Sequence, residues 1–313
     1  MAILLLISDM VPEEWDAAIA YAAEKRAVRV WPYLEDPAEI EYAIVWKPPR
    51  GALQGFPNLK AIFSMGAGVD HLVGDPDLPD VPIVRFVADD LTEQMSEYVL
   101  HHVLLHHRRH LDYAAQQARK AWKPLAQPTA REVRVGVMGC GVLGSAAAAK
   151  LAAIGFQTRG WSRTRKAIAG VTTYAGSEEF LAFLGATDIL VCLLPLTPQT
   201  RGLLGGKLIA AMASDGALPG RVVINAGRGG LQNEAEILAA LDSGVLWAAS
   251  LDVFETEPLP ESSPLWTHPR VVVTPHNAAI SRPGPLFDYV LEQIDTFERG
   301  GGLDNVVDIQ RGY

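Results

Sequence analysis

A chain of 313 residues, 49% hydrophobic and 20% charged, is long and apolar enough to bury two cores, which excludes a fibrous or disordered chain. Lys and Arg number 27 against 36 Asp and Glu, a formal charge of −9, so electrostatic wrapping of nucleic acid or an anionic membrane is disfavoured. The cysteines, Cys140 and Cys192, support neither a disulfide framework nor a cysteine metal site. The opening run Ala2–Ile7 meets Asp9, Glu13 and Glu14 and is too short to span a bilayer. A reducing cytoplasm is the expected location, with no membrane or nucleic-acid partner.

From Met1 to about Val87, apolar runs at Ile3–Ile7, Val28–Trp31, Ala43–Trp46, Leu59–Ser64 and Ile83–Phe86 alternate with amphipathic or turn-rich stretches, which predicts a small α/β unit. Two strand ends stand out. Trp46-Lys47-Pro48-Pro49 closes one, and Gly66-Ala67-Gly68-Val69-Asp70 closes another, where glycines form a plain turn or expose backbone N–H groups to an anion.

Thr92 to Trp122 predicts a long helical stretch, with Glu93 and Glu97 early and Arg108, Arg109, Arg119 and Lys120 late, as the helix dipole favours. His102, His106 and His110 recur at i, i+4 and i+8, with His101 and His107 turned away from that row. The spacing could hold a metal, but no carboxylate or cysteine completes the set nearby. A polar helix face, exposed or at a subunit contact, is the plainer reading, and no metal is expected. Pro124 and Pro128 then break the chain, so a domain junction falls in or near this segment.

The next stretch organises the rest. Val133, Val135 and Val137 read as a buried strand, Gly139, Gly141 and Gly144 follow at GxGxxG spacing around Leu143, and Ser145–Ile154 is alanine-rich and helix-favouring. Strand, tight turn and helix start suit a dinucleotide pyrophosphate: Gly139 permits the turn, Gly141 lets backbone approach the ligand, and Gly144 lets helix pack on strand. Further strands at Thr158–Trp161, Asp188–Leu194, Arg221–Asn225, Trp247–Val253 and Val271–Thr274 continue doubly wound α/β punctuation, and Pro283–Arg299 reads as an amphipathic helix. The second strand of this unit ends in Trp161-Ser162-Arg163-Thr164-Arg165-Lys166, where an NAD site would carry an acid. A hydroxyl, two arginines and a lysine suit a ribose 2′-phosphate, so NADP is expected in preference to NAD, against the alternative of a solvated basic loop.

Three loops follow later strands: Asn225-Ala226-Gly227-Arg228-Gly229-Gly230, Asp252-Val253-Phe254-Glu255-Thr256-Glu257-Pro258 and Thr274-Pro275-His276-Asn277-Ala278-Ala279. A cation, a carboxylate and an imidazole at strand ends form a reasonable site for reducing a carbonyl beside a carboxylate. Each also has a plain reading: a surface ion pair for Arg228, a helix-capping acid for Glu257, a satisfied loop histidine for His276.

With these motifs in this order the chain resembles the D-isomer-specific 2-hydroxyacid dehydrogenase family. Within it the likeness is closest to the glyoxylate/hydroxypyruvate reductase A group, through Val-Trp-Lys-Pro-Pro, Gly-Ala-Gly-Val-Asp, Trp-Lys-Pro-Leu, Trp-Ser-Arg-x-Arg-Lys, Ser-Pro-Leu-Trp-x-His-Pro-Arg-Val and the terminal Arg-Gly-Tyr. The resemblance implies two doubly wound parallel-sheet α/β domains, a Rossmann-type NADP-binding domain at 99–282 inserted into a flavodoxin-like substrate domain at 1–98 plus 283–313. It also implies a homodimer through the cofactor domain, to which the histidine row is then assigned. By matching positions, Arg228 holds the substrate carboxylate and polarises its carbonyl, the backbone N–H groups of Gly68 and Val69 bind that carboxylate, and Trp46 borders the substrate. His276 is the implied general acid and Glu257 its partner, favouring the imidazolium. Pro195, Thr200, Ala226 and Asp252 match positions around the nicotinamide and its ribose. The implied activity is NADPH-dependent reduction of small 2-oxo acids such as glyoxylate and hydroxypyruvate. Two alternatives stand beside it: a reductase of a bulkier 2-oxo acid, or a non-catalytic dinucleotide-sensing module. Cys140 inside the glycine turn, Gly227 and Gly230, expected to loosen the arginine loop, and Asn277 after the histidine depart from the group's pattern.

Overall fold

A computed structural model of the chain describes residues 1–8, 11–309 and 311; Asp9 and the Gly312-Tyr313 end of the tail motif lie outside them. Two units divide the chain, Met1–Leu91 with Ser281–Tyr313 and Thr92–Ile280, so the second interrupts the sequence of the first.

The first unit contains β1 (Ala2–Ile7), α1 (Pro12–Lys25), β2 (Ala27–Val30), β3 (Ile40–Trp46), β4 (Ala61–Ser64), α2 (Asp70–Val73) and β5 (Ile83–Arg85). Its strands pair in parallel in the order β2-β1-β3-β4-β5, a flavodoxin-like order. Every residue from Ala2 to Leu6 is buried, which is why β1 reads as an unbroken apolar run: a parallel strand is covered on both faces.

The second unit begins on α3 (Asp89–His107) and α4 (His110–Ala118) and continues through β6 (Arg134–Met138), α5 (Val142–Ile154), β7 (Gln157–Ser162) and β8 (Thr172–Ala175). It then runs through α6 (Phe180–Gly185), β9 (Ile189–Cys192), α7 (Gly206–Ala211), β10 (Arg221–Asn225), α8 (Glu234–Asp242), β11 (Leu246–Leu251) and β12 (Val271–Val273). The sheet is wholly parallel in the order β12-β11-β10-β9-β6-β7-β8. Strand order reverses between β6 and β9, so the crevice of a doubly wound sheet lies where the glycine turn leaves β6. The C-terminal helix α9 (Pro283–Glu298) belongs to the first unit, where Phe287 packs edge-on to Trp15 of α1.

Three expectations change here. The junctions fall at Leu91/Thr92 and Ile280/Ser281 rather than at 98/99 and 282/283, because Met95, Val99 and Val103 of α3 pack with Val135, Val137 and Leu151 of the second unit. Strand β8 was not anticipated; it is an edge strand with exposed Thr172 and no apolar run to announce it. The single helix expected over Thr92–Trp122 breaks at Arg109, whose φ of 59° ends α3 and starts α4, so His110 leaves the histidine row.

The row itself faces inward. His102 and His106 are buried, and their Nδ1 and Nε2 atoms each lie 2.8 Å from the buried Ser250 Oγ on β11. This corrects the expectation of an exposed or subunit-facing row: helical spacing repeats identically on a solvent face and on a face turned toward a buried hydroxyl. Among the described residues no group of three or more His, Cys, Asp or Glu could hold a metal.

Burial lowers His102 to about 4 and His106 to about 3, each also depressed by a neighbouring histidine. A group depressed in the fold binds protons more readily when unfolded, so the stability these residues supply is present above about pH 6.5 and is lost as pH falls toward 4. Each of the two groups costs about 2 kcal/mol between pH 7 and pH 5, so urea unfolding should show stability roughly 4 kcal/mol lower at pH 5 than at pH 7. A His102→Gln, His106→Gln double variant should flatten that difference; an unchanged pH slope would refute the assignment.

Candidate active site

The glycine turn has the geometry its spacing requires. Gly139 sits at φ 108°, closed to most side chains, and a Cβ at Gly144 would stand 2.0 Å from the Gly139 carbonyl oxygen, so α5 approaches its own strand only because no side chain intervenes. Gly141, the residue before α5, has an ordinary φ of −77°, and a Cβ there would meet nothing within 4 Å. That open space at the start of a helix leaves room for a group such as a pyrophosphate, which helix-terminal N–H groups can bind. Leu143 is half-buried on the first turn of the same helix. Gly144→Ala should therefore destabilise the fold by about 1–3 kcal/mol despite alanine's better helix propensity, because the clash is with backbone. Gly141→Ala should change stability by under about 0.5 kcal/mol yet weaken NADPH binding. Urea unfolding alongside NADPH titration separates the two, and equal effects on both readouts would contradict this reading. Cys140 turns into the core, its Sγ 2.6 Å from where a Gly160 Cβ would lie, and burial raises its thiol to about 11.

Ser162 ends β7, and its hydroxyl donates to the Thr164 carbonyl at 2.8 Å. Arg163 and Arg165 are exposed in the loop that follows. Arg165 is anchored by an ion pair with Glu179 and donates to the Thr173 carbonyl at 2.5 Å, which fixes the direction of its guanidinium. Pro195 and Thr200 belong to one loop after β9, where the Thr200 hydroxyl donates to the Pro195 carbonyl at 2.8 Å.

Arg228, Glu257 and His276 follow β10, β11 and β12, three adjacent strands of one parallel sheet, at their C-terminal ends. The arginine loop is rigid. Buried Asn225 donates to Gln232 Oε1 at 2.8 Å and to the Arg228 carbonyl at 3.1 Å, and Gln232 donates to the Val253 carbonyl at 2.9 Å. A Cβ at Gly229 would lie 1.7 Å from the Phe254 carbonyl oxygen, one at Gly227 2.8 Å from Leu231, and one at Gly230 2.9 Å from Leu196. Gly227 and Gly230 thus tighten the loop rather than loosen it, because their missing side chains admit neighbouring leucines. Half-buried Arg228 donates to the Gly227 carbonyl at 2.9 Å, and buried Ala226 donates its N–H to Cys192 at 3.2 Å.

His276 Nδ1 lies 2.8 Å from Glu257 Oε2, while Glu257 Oε1 accepts the Phe254 N–H at 3.2 Å. A carboxylate only accepts, so Nδ1 carries the proton of this bond and Nε2 is left for chemistry. Asp252, 1% exposed, clamps the histidine loop: its oxygens accept the Thr274 hydroxyl at 2.7 Å and the N–H groups of Asn277 and Ala278 at 3.0 Å. Asn277 contributes backbone to this bond, so its unusual side chain leaves the clamp intact. Sequence reasoning placed Asp252 beside the nicotinamide and missed this clamp, along with Thr274 and Tyr98, whose hydroxyl is 2.9 Å from Thr274 Oγ1. The available signal was position 98, one turn before His102 on the same helix face.

In the first unit, Trp46 ends β3 and lies over Gly66, where a Cβ would be 2.6 Å from the indole, with His71 edge-on at 4.8 Å between ring centres. Gly68 accepts the Ser64 hydroxyl at 3.2 Å, and Val69 is buried at the start of α2.

Residues 100–278 match the family model described as D-isomer specific 2-hydroxyacid dehydrogenase, NAD binding domain. The chain belongs to the D-isomer-specific 2-hydroxyacid dehydrogenase family. It is 44% identical over 305 residues, 96% of each chain, to a glyoxylate/hydroxypyruvate reductase A of Salmonella paratyphi B. The NADPH-dependent glyoxylate/hydroxypyruvate reductase of Sinorhizobium meliloti, solved with NADP and sulfate, is similar at 49% identity and a TM-score of 0.94, covering 100% of this chain and 99% of that one. A probable 2-hydroxyacid dehydrogenase of Rhizobium etli, solved with NADP, HEPES and L(+)-tartaric acid, matches at 47% identity and the same TM-score and coverage. The family's fold, a dinucleotide-binding domain inserted into a flavodoxin-like one, is the fold of this chain.

Proposed function

We propose that this chain is an NADPH-dependent reductase of small 2-oxo acids, converting glyoxylate to glycolate and hydroxypyruvate to D-glycerate. The observation that carries the reading is the His276–Glu257 pair, held at 2.8 Å beside a rigid arginine loop in a chain so similar to the Sinorhizobium meliloti reductase. Gly139, Gly141, Leu143 and Gly144 cradle the dinucleotide, and Ser162, Arg163 and Arg165 receive its 2′-phosphate. Pro195, Thr200, Ala226 and Asp252 border the nicotinamide ribose. NADPH supplies the hydride when bound.

The chain's own residues do the rest. Arg228 grips the substrate carboxylate and draws electron density from its carbonyl, with the N–H groups of Gly68 and Val69 as further donors and Trp46 bordering the substrate. His276 delivers a proton from Nε2 to the developing alkoxide, and Glu257 on Nδ1 fixes the ring's orientation and balances the imidazolium. We assign the enzyme to the cytoplasm; among the described residues no helix is long and apolar enough to cross a membrane. A homodimer through the Thr92–Ile280 unit is part of the proposal and rests on the family resemblance.

Loss of the nicotinamide absorbance band, with NADPH or NADH offered against glyoxylate, hydroxypyruvate, pyruvate and phenylpyruvate, tests the reading. Rapid loss with NADPH and the two small acids is expected. An NADH preference would reduce Arg163 and Arg165 to a solvated loop, and loss only with phenylpyruvate would replace the substrate. Bound NADPH with no turnover would favour a dinucleotide-sensing module.

A further inference from the structure

Helix α3 carries a polar row at strict four-residue spacing: Gln94, Tyr98, His102 and His106. Each member bonds to the back of the histidine loop or to the strand that leads into Asp252. The Gln94 amide makes two bonds to the Ile280 backbone, Nε2 to the carbonyl and the Ile280 N–H to Oε1, both 3.0 Å. Tyr98 meets Thr274 at 2.9 Å, and His102 and His106 meet Ser250. The row thus grips the histidine loop on both sides of His276.

The Tyr98 link has a direction. Thr274 has one hydroxyl proton and gives it to Asp252 Oδ1, so the Tyr98 contact requires the phenol to donate to Thr274 Oγ1. Burial raises the Tyr98 phenol well above its ordinary range, which keeps that proton in place. The Asp252 carboxylate also accepts the N–H groups of Asn277 and Ala278, the two residues directly after His276, while the Asp252 carbonyl accepts the His276 N–H at 2.8 Å; His276 itself has a φ of 54°, in the left-handed region. A side-chain-bearing residue keeps that backbone shape only where its surroundings impose it.

We propose that Tyr98 is a positioning residue for His276, acting through the Thr274 hydroxyl and the Asp252 carboxylate to hold the imidazole in register for proton delivery. The proposal rests on His276 being the general acid. Its test is single-turnover oxidation of NADPH by glyoxylate on the full chain, in Tyr98→Phe, Thr274→Val, Thr274→Ser, the Tyr98→Phe, Thr274→Val double variant and His276→Ala. Tyr98→Phe and Thr274→Val should each slow the step about 10-fold or more, with NADPH affinity and urea midpoint near wild type. Thr274→Ser keeps the hydroxyl and should stay near the wild-type rate. The double variant should be no slower than Thr274→Val alone, because both changes cut the same chain of bonds. A wild-type rate in Tyr98→Phe, multiplying effects in the double variant, or a slowing matched by a collapsed urea midpoint would overturn the proposal. A wild-type rate in His276→Ala would instead remove the general-acid reading; a slow His276→Ala beside a fast Tyr98→Phe would remove only the role of Tyr98.

Discussion

His276→Ala should lower the rate of 2-oxo acid reduction by about 10²–10⁴-fold, the range over which a positioned general acid contributes. The substitution removes the ring whose Nδ1 meets Glu257 Oε2, and it leaves the Asp252 clamp untouched, because Asn277 and Ala278 bind it through backbone N–H groups. NADPH affinity should therefore hold while turnover falls. Steady-state rates with glyoxylate, together with NADPH titration, check both halves. A rate within twofold of wild type would mean that solvent supplies the proton and that the pair is structural.

Arg228→Ala should lower kcat/KM for glyoxylate by about 10²–10³-fold, the loss measured when one donor to a developing oxyanion is removed. Arg228→Lys should recover little, because an ammonium lacks the planar fork that meets a carboxylate with two parallel bonds. The fold should tolerate either change: the loop's rigidity comes from Asn225, Gln232 and the close approach of Gly229 to Phe254, none of which uses the guanidinium. Urea unfolding near wild type with a depressed kcat/KM is the expected combination. Full activity in Arg228→Lys would show that charge alone suffices.

Much of this architecture is legible in the chain because parallel strands buried on both faces leave unbroken apolar runs, as in Ala2–Leu6 and Ile189–Cys192. The glycine spacing is equally legible, since Gly139 and Gly144 occupy positions where a side chain would strike backbone. Strand β8 escapes because an edge strand does not have to be apolar. The direction of the histidine row escapes for a different reason: a four-residue period gives the face of a helix but not what lies opposite it, and Ser250 is remote in sequence. The Asp252 clamp is likewise a product of the fold, joining a strand end to backbone N–H groups 25 and 26 residues later. Glu257 and His276 lie 19 residues apart, and their pairing follows from family resemblance rather than from spacing.

The most direct test of the central claim is the balance between NADPH consumed and product formed when the purified chain is given hydroxypyruvate. One D-glycerate for each NADPH is the predicted result. NADPH left reduced while bound, or L-glycerate as the product, would contradict the assignment of the chain as a D-specific reductase of this substrate.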